Sequence, residues 1–231
     1  MASALVSGGK DSVYSAYLAD QQGWNVDELL VLLPEDQDSL LFHTPNLSLV
    51  ELLGRAWGKP VRSVPIRGAG EMVESEELSR ALAEGRGAVV AGAIESAYQW
   101  GRLSRITNDL GRPLFVPLWR KDPARVVREE IASGLDIRIV QVAAEPLGPE
   151  WLGRRLDLDT LREIEEVGRT RRAVHPAGEG GEYETLVVDA PFFRERLEVD
   201  GQGVVVRGPL ARLEITGAHL VPKASPATAS R

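Results

Sequence analysis

The chain has no cysteine among its 231 residues. That absence excludes disulfides, thiolate-held zinc, iron–sulfur clusters and cysteine nucleophiles. It also excludes glutamine hydrolysis at a cysteine amidotransferase site and sulfur transfer through an enzyme-bound persulfide. Histidine is scarce as well: His43, His175 and His219 are the three present, and no HExxH spacing relates them, so nothing argues for a dedicated transition-metal site. No apolar run approaches the roughly 18 residues that span a bilayer, and the start lacks the charged and apolar segments of a secretory signal. The expected compartment is the cytoplasm, with no membrane partner. Runs of Lys and Arg are missing too, and net charge is −7. Affinity for nucleic acid rests on neutralising phosphates, so nucleic acid is a disfavoured partner. No internal repeat is evident, and association into a homo-oligomer is left open.

The residues that are present alternate. A short strand around Ala4 and Val6 runs into a glycine turn and then a stretch with helical apolar spacing (Val13, Tyr14, Tyr17, Leu18) that stops at Gly23. Residues 29–33 are unbroken apolar sequence, as in a parallel strand buried on both faces. Asn46 is placed to cap a helix carrying Leu49, Val50, Leu53 and Ala56, stopped by Gly58 and Pro60. A strand at 61–66, a helix at 71–83, a strand at 88–91 and a helix at 95–110 continue the pattern. It predicts an α/β fold with a doubly wound, mostly parallel sheet over residues 1–120.

Residues 121–221 read as a second, smaller α+β domain. Asp122-Pro123 caps a helix to about residue 133. A strand follows at 137–142, a helix at 157–169 and a strand at 185–188. Residues 197–206 are expected to fold as a hairpin about Asp200-Gly201, with a last strand at 212–221. The tail, 222–231, is rich in Ala, Ser, Pro and Thr and is expected to be disordered.

Two clusters carry chemistry. Ser7-Gly8-Gly9-Lys10-Asp11-Ser12 lies between a strand and a helix, where backbone N–H groups and the positive end of the helix dipole converge on an anion. Gly8 and Gly9 let the main chain approach phosphate oxygens, Lys10 offers a charge, Ser7 and Ser12 offer hydroxyls, and Asp11 is placed to orient the loop or hold Mg²⁺. No Walker A string occurs. In the second cluster, residues 178–185, Glu179, Glu182 and Glu184 alternate with Gly178, Gly180 and Gly181 around Tyr183, just before a strand. Backbone pressed close to a ligand beside carboxylates suits Mg²⁺, an ammonium group or a proton; a solvated acidic turn has the same composition.

The first cluster resembles the signature of PP-loop (HUP-like) ATP pyrophosphatases, in which the loop holds the pyrophosphate that leaves. Added to it are His43-Thr44-Pro45-Asn46, residues 92–99 with Arg102, Pro117-Leu118-Trp119, Trp151-Leu152-Gly153-Arg154 and the acidic cluster. In that order, over roughly residues 4–193, the set resembles the diphthine–ammonia ligase family. The resemblance implies an ATP-dependent ligase: a carboxylate is adenylated with release of AMP and pyrophosphate, and ammonia forms the amide. The carboxylate is then diphthine, a modified histidine on elongation factor 2.

Catalytic duty is expected of Lys10, Asp11, Glu182 and Glu184. ATP and pyrophosphate contact is expected of Ser7, Gly8, Gly9, Lys10, Asp11, Ser12 and His43. Substrate contact is expected of Tyr98, Gln99, Arg102, Glu179, Gly180, Gly181, Glu182 and Tyr183. Arg154 suits either an anion contact or a salt bridge. Two positions depart from the family pattern: Ala97, where Asp is common, and Ala177, where Cys is common. Both fall in motifs of the substrate side, which keeps a small-molecule carboxylate, such as a corrinoid side chain, beside diphthine. A non-catalytic ATP- or AMP-sensing module is the alternative from another class.

Overall fold

The computed structural model describes residues 1–34, 49–66, 70–171 and 174–223; Asn46, His43 and residues 224–231 of the tail lie outside these. Among the described residues, strands β1 (Ala2–Leu5), β2 (Val26–Pro34), β3 (Val61–Ile66), β4 (Ala88–Val90) and β5 (Leu114–Phe115) form one sheet in the order β3-β2-β1-β4-β5, every pair parallel. Helices α1 (Lys10–Gln21), α2 (Val50–Trp57), α3 (Glu71–Glu84) and α4 (Ala97–Asp109) connect them.

The apolar run of β2 shows why the sheet is wound on both faces. Leu29 and Val31 turn to one side and pack with Val13 of α1 and Leu53 of α2. Leu30 and Leu32 turn to the other and pack with Leu78 of α3 and Leu103 of α4. Gly58 closes α2 as expected, with φ +78°, and at the start of α4 the Ser96 side chain, not singled out in the sequence, accepts from the Gln99 N–H (3.3 Å).

The second part adds α5 (Pro123–Ala132), α6 (Leu158–Arg171) and an antiparallel sheet of β6 (Asp136–Val142), β7 (Tyr183–Asp189), β8 (Glu195–Arg207) and β9 (Leu210–Pro222), in the order β7-β6-β9-β8. Asp122 caps α5 by accepting from the Arg125 N–H at 2.8 Å. Ile137 and Val187 of this sheet share one apolar cluster with Val13 and Leu53, so the core is continuous from the first sheet into the second.

The hairpin expected about Asp200-Gly201 is not there. β8 runs straight through both residues and pairs with β9 from Glu195↔Pro222 to Arg207↔Leu210. The register merely shifts at Asp200/Gly201, a bulge. The turn falls at Gly208, whose φ of +55° makes it.

Candidate active site

The strand order reverses between β1 and β4, and ligands of open α/β sheets gather outside the carboxyl ends of strands at such a switch point. The turns after both strands line a cavity of about 470 Å³ there, within the usual range of ligand pockets. Packing at its floor is tight: a Cβ on Gly92, just after β4, would stand 2.8 Å from the main chain of Asp11 and Ser12. Gly92 therefore lets the first turn of α1 sit against β4.

The phosphate loop is internally bonded. The Ser12 hydroxyl donates to the Gly9 carbonyl at 2.9 Å, receives the Ser7 N–H at 3.2 Å and lies 3.2 Å from the Ser7 hydroxyl. Gly8 takes φ +86° and turns its carbonyl to the Val187 N–H of β7 (2.9 Å). The Lys10 N–H donates to the Thr185 hydroxyl at 3.2 Å, so the second sheet is docked onto the loop.

Lys10 itself is 1% exposed. Its Nζ donates to Asp11 Oδ2 and to the Ala177 carbonyl, both at 2.7 Å, and stands 5.8 Å from the centre of the Tyr183 ring. Burial works against this ammonium, but the adjacent Asp11 carboxylate more than offsets it and holds its pKa above the usual lysine value. The charge on Lys10 is thus both the positive end of the loop and a tie to the acidic segment.

Beneath it lies Glu130 of α5, fully buried and facing Asp11. Both Glu130 oxygens and Asp11 Oδ1 are without a donor as long as both carboxyls are ionised. Burial, then the charge of Asp11, pushes Glu130 well above the ordinary carboxylate range. A neutral Glu130 supplies the missing donor to Asp11, and two buried carboxylates against one lysine are avoided.

The three glutamates of the acidic loop have three different fates. Glu179 Oε1 accepts from the Ile94 N–H at 2.9 Å, pinning the loop to the turn after β4. Glu182 accepts from the His175 N–H (3.2 Å) and the Gly180 N–H (3.0 Å). It faces a second cleft formed with residues 143–146 rather than the main cavity. Glu184 lines the main cavity and its carboxylate has no hydrogen bond among the described residues. Burial raises it to about 7, with Lys10 opposing and Asp11 and Glu182 reinforcing the shift. Tyr183, buried, donates to the Pro176 carbonyl at 2.6 Å, and burial raises its phenol above the usual value.

Two family models match this chain, that for the diphthamide synthase N-terminal domain over residues 1–113 and that for the diphthamide synthase C-terminal domain over residues 122–216. The curated diphthine–ammonia ligases of rat and human are 32% and 31% identical to it; each alignment covers 96% of this chain and 93% of the relative. This chain belongs to the diphthine–ammonia ligase family. The fission yeast member is 31% identical over 87% of this chain but only 36% of its own length. A solved structure described as a predicted subunit of tRNA methyltransferase from Methanocaldococcus jannaschii aligns over 83% of this chain and 97% of its own, at 15% identity and TM-score 0.44; at that level the likeness carries no argument.

Against this family frame, Ser7, Gly9, Lys10, Asp11 and Ser12 meet Tyr98, Gln99 and Arg102 of α4 and Glu179, Gly180, Gly181, Tyr183 and Glu184 around the one cavity. Arg102 and Tyr98 share a helix face as their spacing implies, with Nη1 donating to the phenol oxygen at 2.7 Å and Nε donating to Ser75. Gly8 and Glu182 lie off the cavity wall, and Arg154 is an ion pair, holding Glu163 through two bonds at 3.0 and 2.7 Å. Glu130 and His175 were not singled out as site residues in the sequence, and Gly92 stood there as the first residue of a family motif without its packing role. Each matters through a partner 80 or more residues away.

No group of three or more His, Asp or Glu able to hold a metal occurs among the described residues, and Asp11 already shares Oδ2 with Lys10. A protein-built cage for Mg²⁺ therefore does not fit. A single carboxylate beside phosphates is the arrangement in which Mg²⁺ is commonly held. No helix among the described residues is long and apolar enough to cross a membrane.

Proposed function

We propose that this chain is a carboxylate–ammonia ligase that works through an acyl-adenylate, with diphthine on elongation factor 2 as the carboxylate. The observation that carries the proposal is the convergence of the phosphate loop and the acidic loop on one cavity at the switch point. Membership of a family whose curated members are named diphthine–ammonia ligase supports the substrate.

In this reading residues 1–120 hold ATP and the part beyond supplies the second half of the site. The α-phosphate lies between the two loops. A carboxylate oxygen attacks the α-phosphorus, the bond to the β-phosphate breaks, and pyrophosphate leaves into the loop of residues 7–12. Backbone N–H groups at the start of α1 and the Lys10 charge favour that anion. Asp11 is the carboxylate that would hold a Mg²⁺ ion bound to the polyphosphate, and the ion would supply further charge neutralisation.

Ammonia then attacks the acyl carbon and AMP leaves. The nitrogen arrives in solution mostly as ammonium, so a base must take a proton before attack. Glu184 lines the cavity with a pKa of about 7, which suits it to accept that proton near neutral pH. The test is oxygen transfer. A substrate carboxylate labelled with heavy oxygen must pass one labelled atom into AMP; unlabelled AMP sinks the acyl-adenylate.

A further inference from the structure

The acidic loop forms a wall of the cavity, yet its glycines leave it little intrinsic stiffness; Gly178 and Gly181 take φ of +73° and +79°. Something else must hold it. His175, at its entrance, makes bonds in two directions. Its Nδ1 accepts from the N–H groups of Ala177 (3.2 Å) and Glu179 (3.4 Å). Its Nε2 lies 3.1 Å from Glu95 Oε2, in the turn after β4 that forms the opposite wall. The tautomer follows from the partners: two N–H groups pointing at Nδ1 require a lone pair there, so the proton sits on Nε2 and is donated to Glu95. The main chain of the same residue is also engaged, its N–H by Glu182 and its carbonyl by the Gly178 N–H (3.0 Å).

The Ala177 carbonyl, one peptide away from the N–H that the ring fixes, is the acceptor for Lys10 Nζ. Ring, Glu95 and the Glu179–Ile94 bond together close the acidic loop against the turn after β4. We infer that His175 is a positioning residue whose ring clasps the two walls of the cavity and sets the place of the second substrate's half-site, including Glu184. This rests on the ligase reading for its kinetic consequence and on the bonds alone for its structural one.

The experiment is amide hydrogen exchange at Ala177 and Glu179 together with steady-state kinetics on His175→Ala and His175→Asn. Asn keeps an acceptor close to the place of Nδ1 and has nothing in place of Nε2. The expected result for His175→Ala is faster exchange at both amides and a KM for ammonium raised roughly tenfold, the loss of two neutral hydrogen bonds, with KM for ATP unchanged. His175→Asn should restore slow exchange at both amides yet leave the ammonium KM severalfold raised, because the bond to Glu95 is still missing. Unchanged exchange in His175→Ala, or equal rises in the KM for ATP and for ammonium, overturns the clasp. Should His175→Ala fail to fold, Glu95→Ala and His175→Asn, which each lose only the bond between the two walls, are expected to raise the ammonium KM alike, and no rise in either overturns the clasp. If no carboxylate supports turnover in the wild type, the ligase reading fails while the exchange data still decide the clasp.

Discussion

The two glycine-rich segments that meet at the cavity are held in place by different means. The phosphate loop is held largely by bonds among its own six positions, with the two serine hydroxyls closing on Gly9 and on each other. The acidic loop is fastened from far away: Glu179 to Ile94 across 85 positions, His175 to Glu95 across 80, and Ala177 to Lys10 across 167. On the proposed function, the end that would meet ATP can therefore be written in one short string at a strand–helix joint, and the end that would meet the second substrate is assembled from three separate stretches of chain. Lys10 belongs to both, which makes it the place where the two constructions can be broken together.

Removing that shared residue should have the largest effect. Lys10→Ala leaves Asp11 without its cation in a largely buried place, a loss of about 3–5 kcal/mol. In a chain of this size that lowers the melting temperature by on the order of 10 °C, with ATP turnover lost. Calorimetry and AMP release read the two parts separately.

Next comes Glu184→Gln, which should touch only the second half. A general base contributes about 10²- to 10⁴-fold, so kcat falls by that order while KM for ATP stays. The wild-type rate should rise with pH through about 7, as Glu184 sheds its proton, and the variant should lose that rise. The same upward shift has a sign for stability. Ionising a carboxyl that the fold prefers neutral is unfavourable, so Glu184's contribution is most favourable below the ordinary value of 4.5 and declines as pH climbs through about 7. Denaturant titrations of the two proteins across that window check it.

Gly92→Ala should touch only the first half. Its Cβ would stand 2.8 Å from the Asp11 and Ser12 main chain, and overpacking of that kind costs about 1–3 kcal/mol. The expected outcome is a KM for ATP raised roughly tenfold with the ammonium KM unchanged. The smallest effect belongs to Glu182→Gln. Gln keeps one acceptor for the two N–H groups that Glu182 now receives, so a loss of about 1–2 kcal/mol in loop stability is expected. A loss of kcat as deep as that of Glu184→Gln would instead return Glu182 to the catalytic group.

The first half of the molecule was readable because its signals are local. Apolar strands, caps and the glycine turn lie next to each other in sequence, and the helices and strands fall within a few residues of expectation. β5 was the exception, with Leu114 and Phe115 too few to show a period. In the second half, Asp200-Gly201 carries a turn signal that the ladder overrides. Leu197 and Val199 pair with Leu220 and Ala218 on one side of it, and Val204 and Val205 pair with Arg212 and Ala211 on the other. Twelve registered pairs outweigh one favourable dipeptide, which is absorbed as a bulge.

The acidic loop could be singled out by composition, but not which of its glutamates faces the cavity. That is decided by the N–H groups of Ile94, His175 and Gly180. Glu130 gives no local sign at all. On α5 it reads as one more charged helix residue, and only the packing of α5 against α1 puts it beneath Asp11.

The most direct test of the account follows the fate of ATP labelled at the α-phosphate, incubated with the purified protein, ammonium and elongation factor 2 bearing diphthine, with Lys10→Ala as control. The account predicts labelled AMP and unlabelled pyrophosphate in step with amide formed, dependent on the diphthine carboxylate and absent from the control. Labelled ADP with phosphate release, or ATP bound at the loop with no product under any of these conditions, would contradict it.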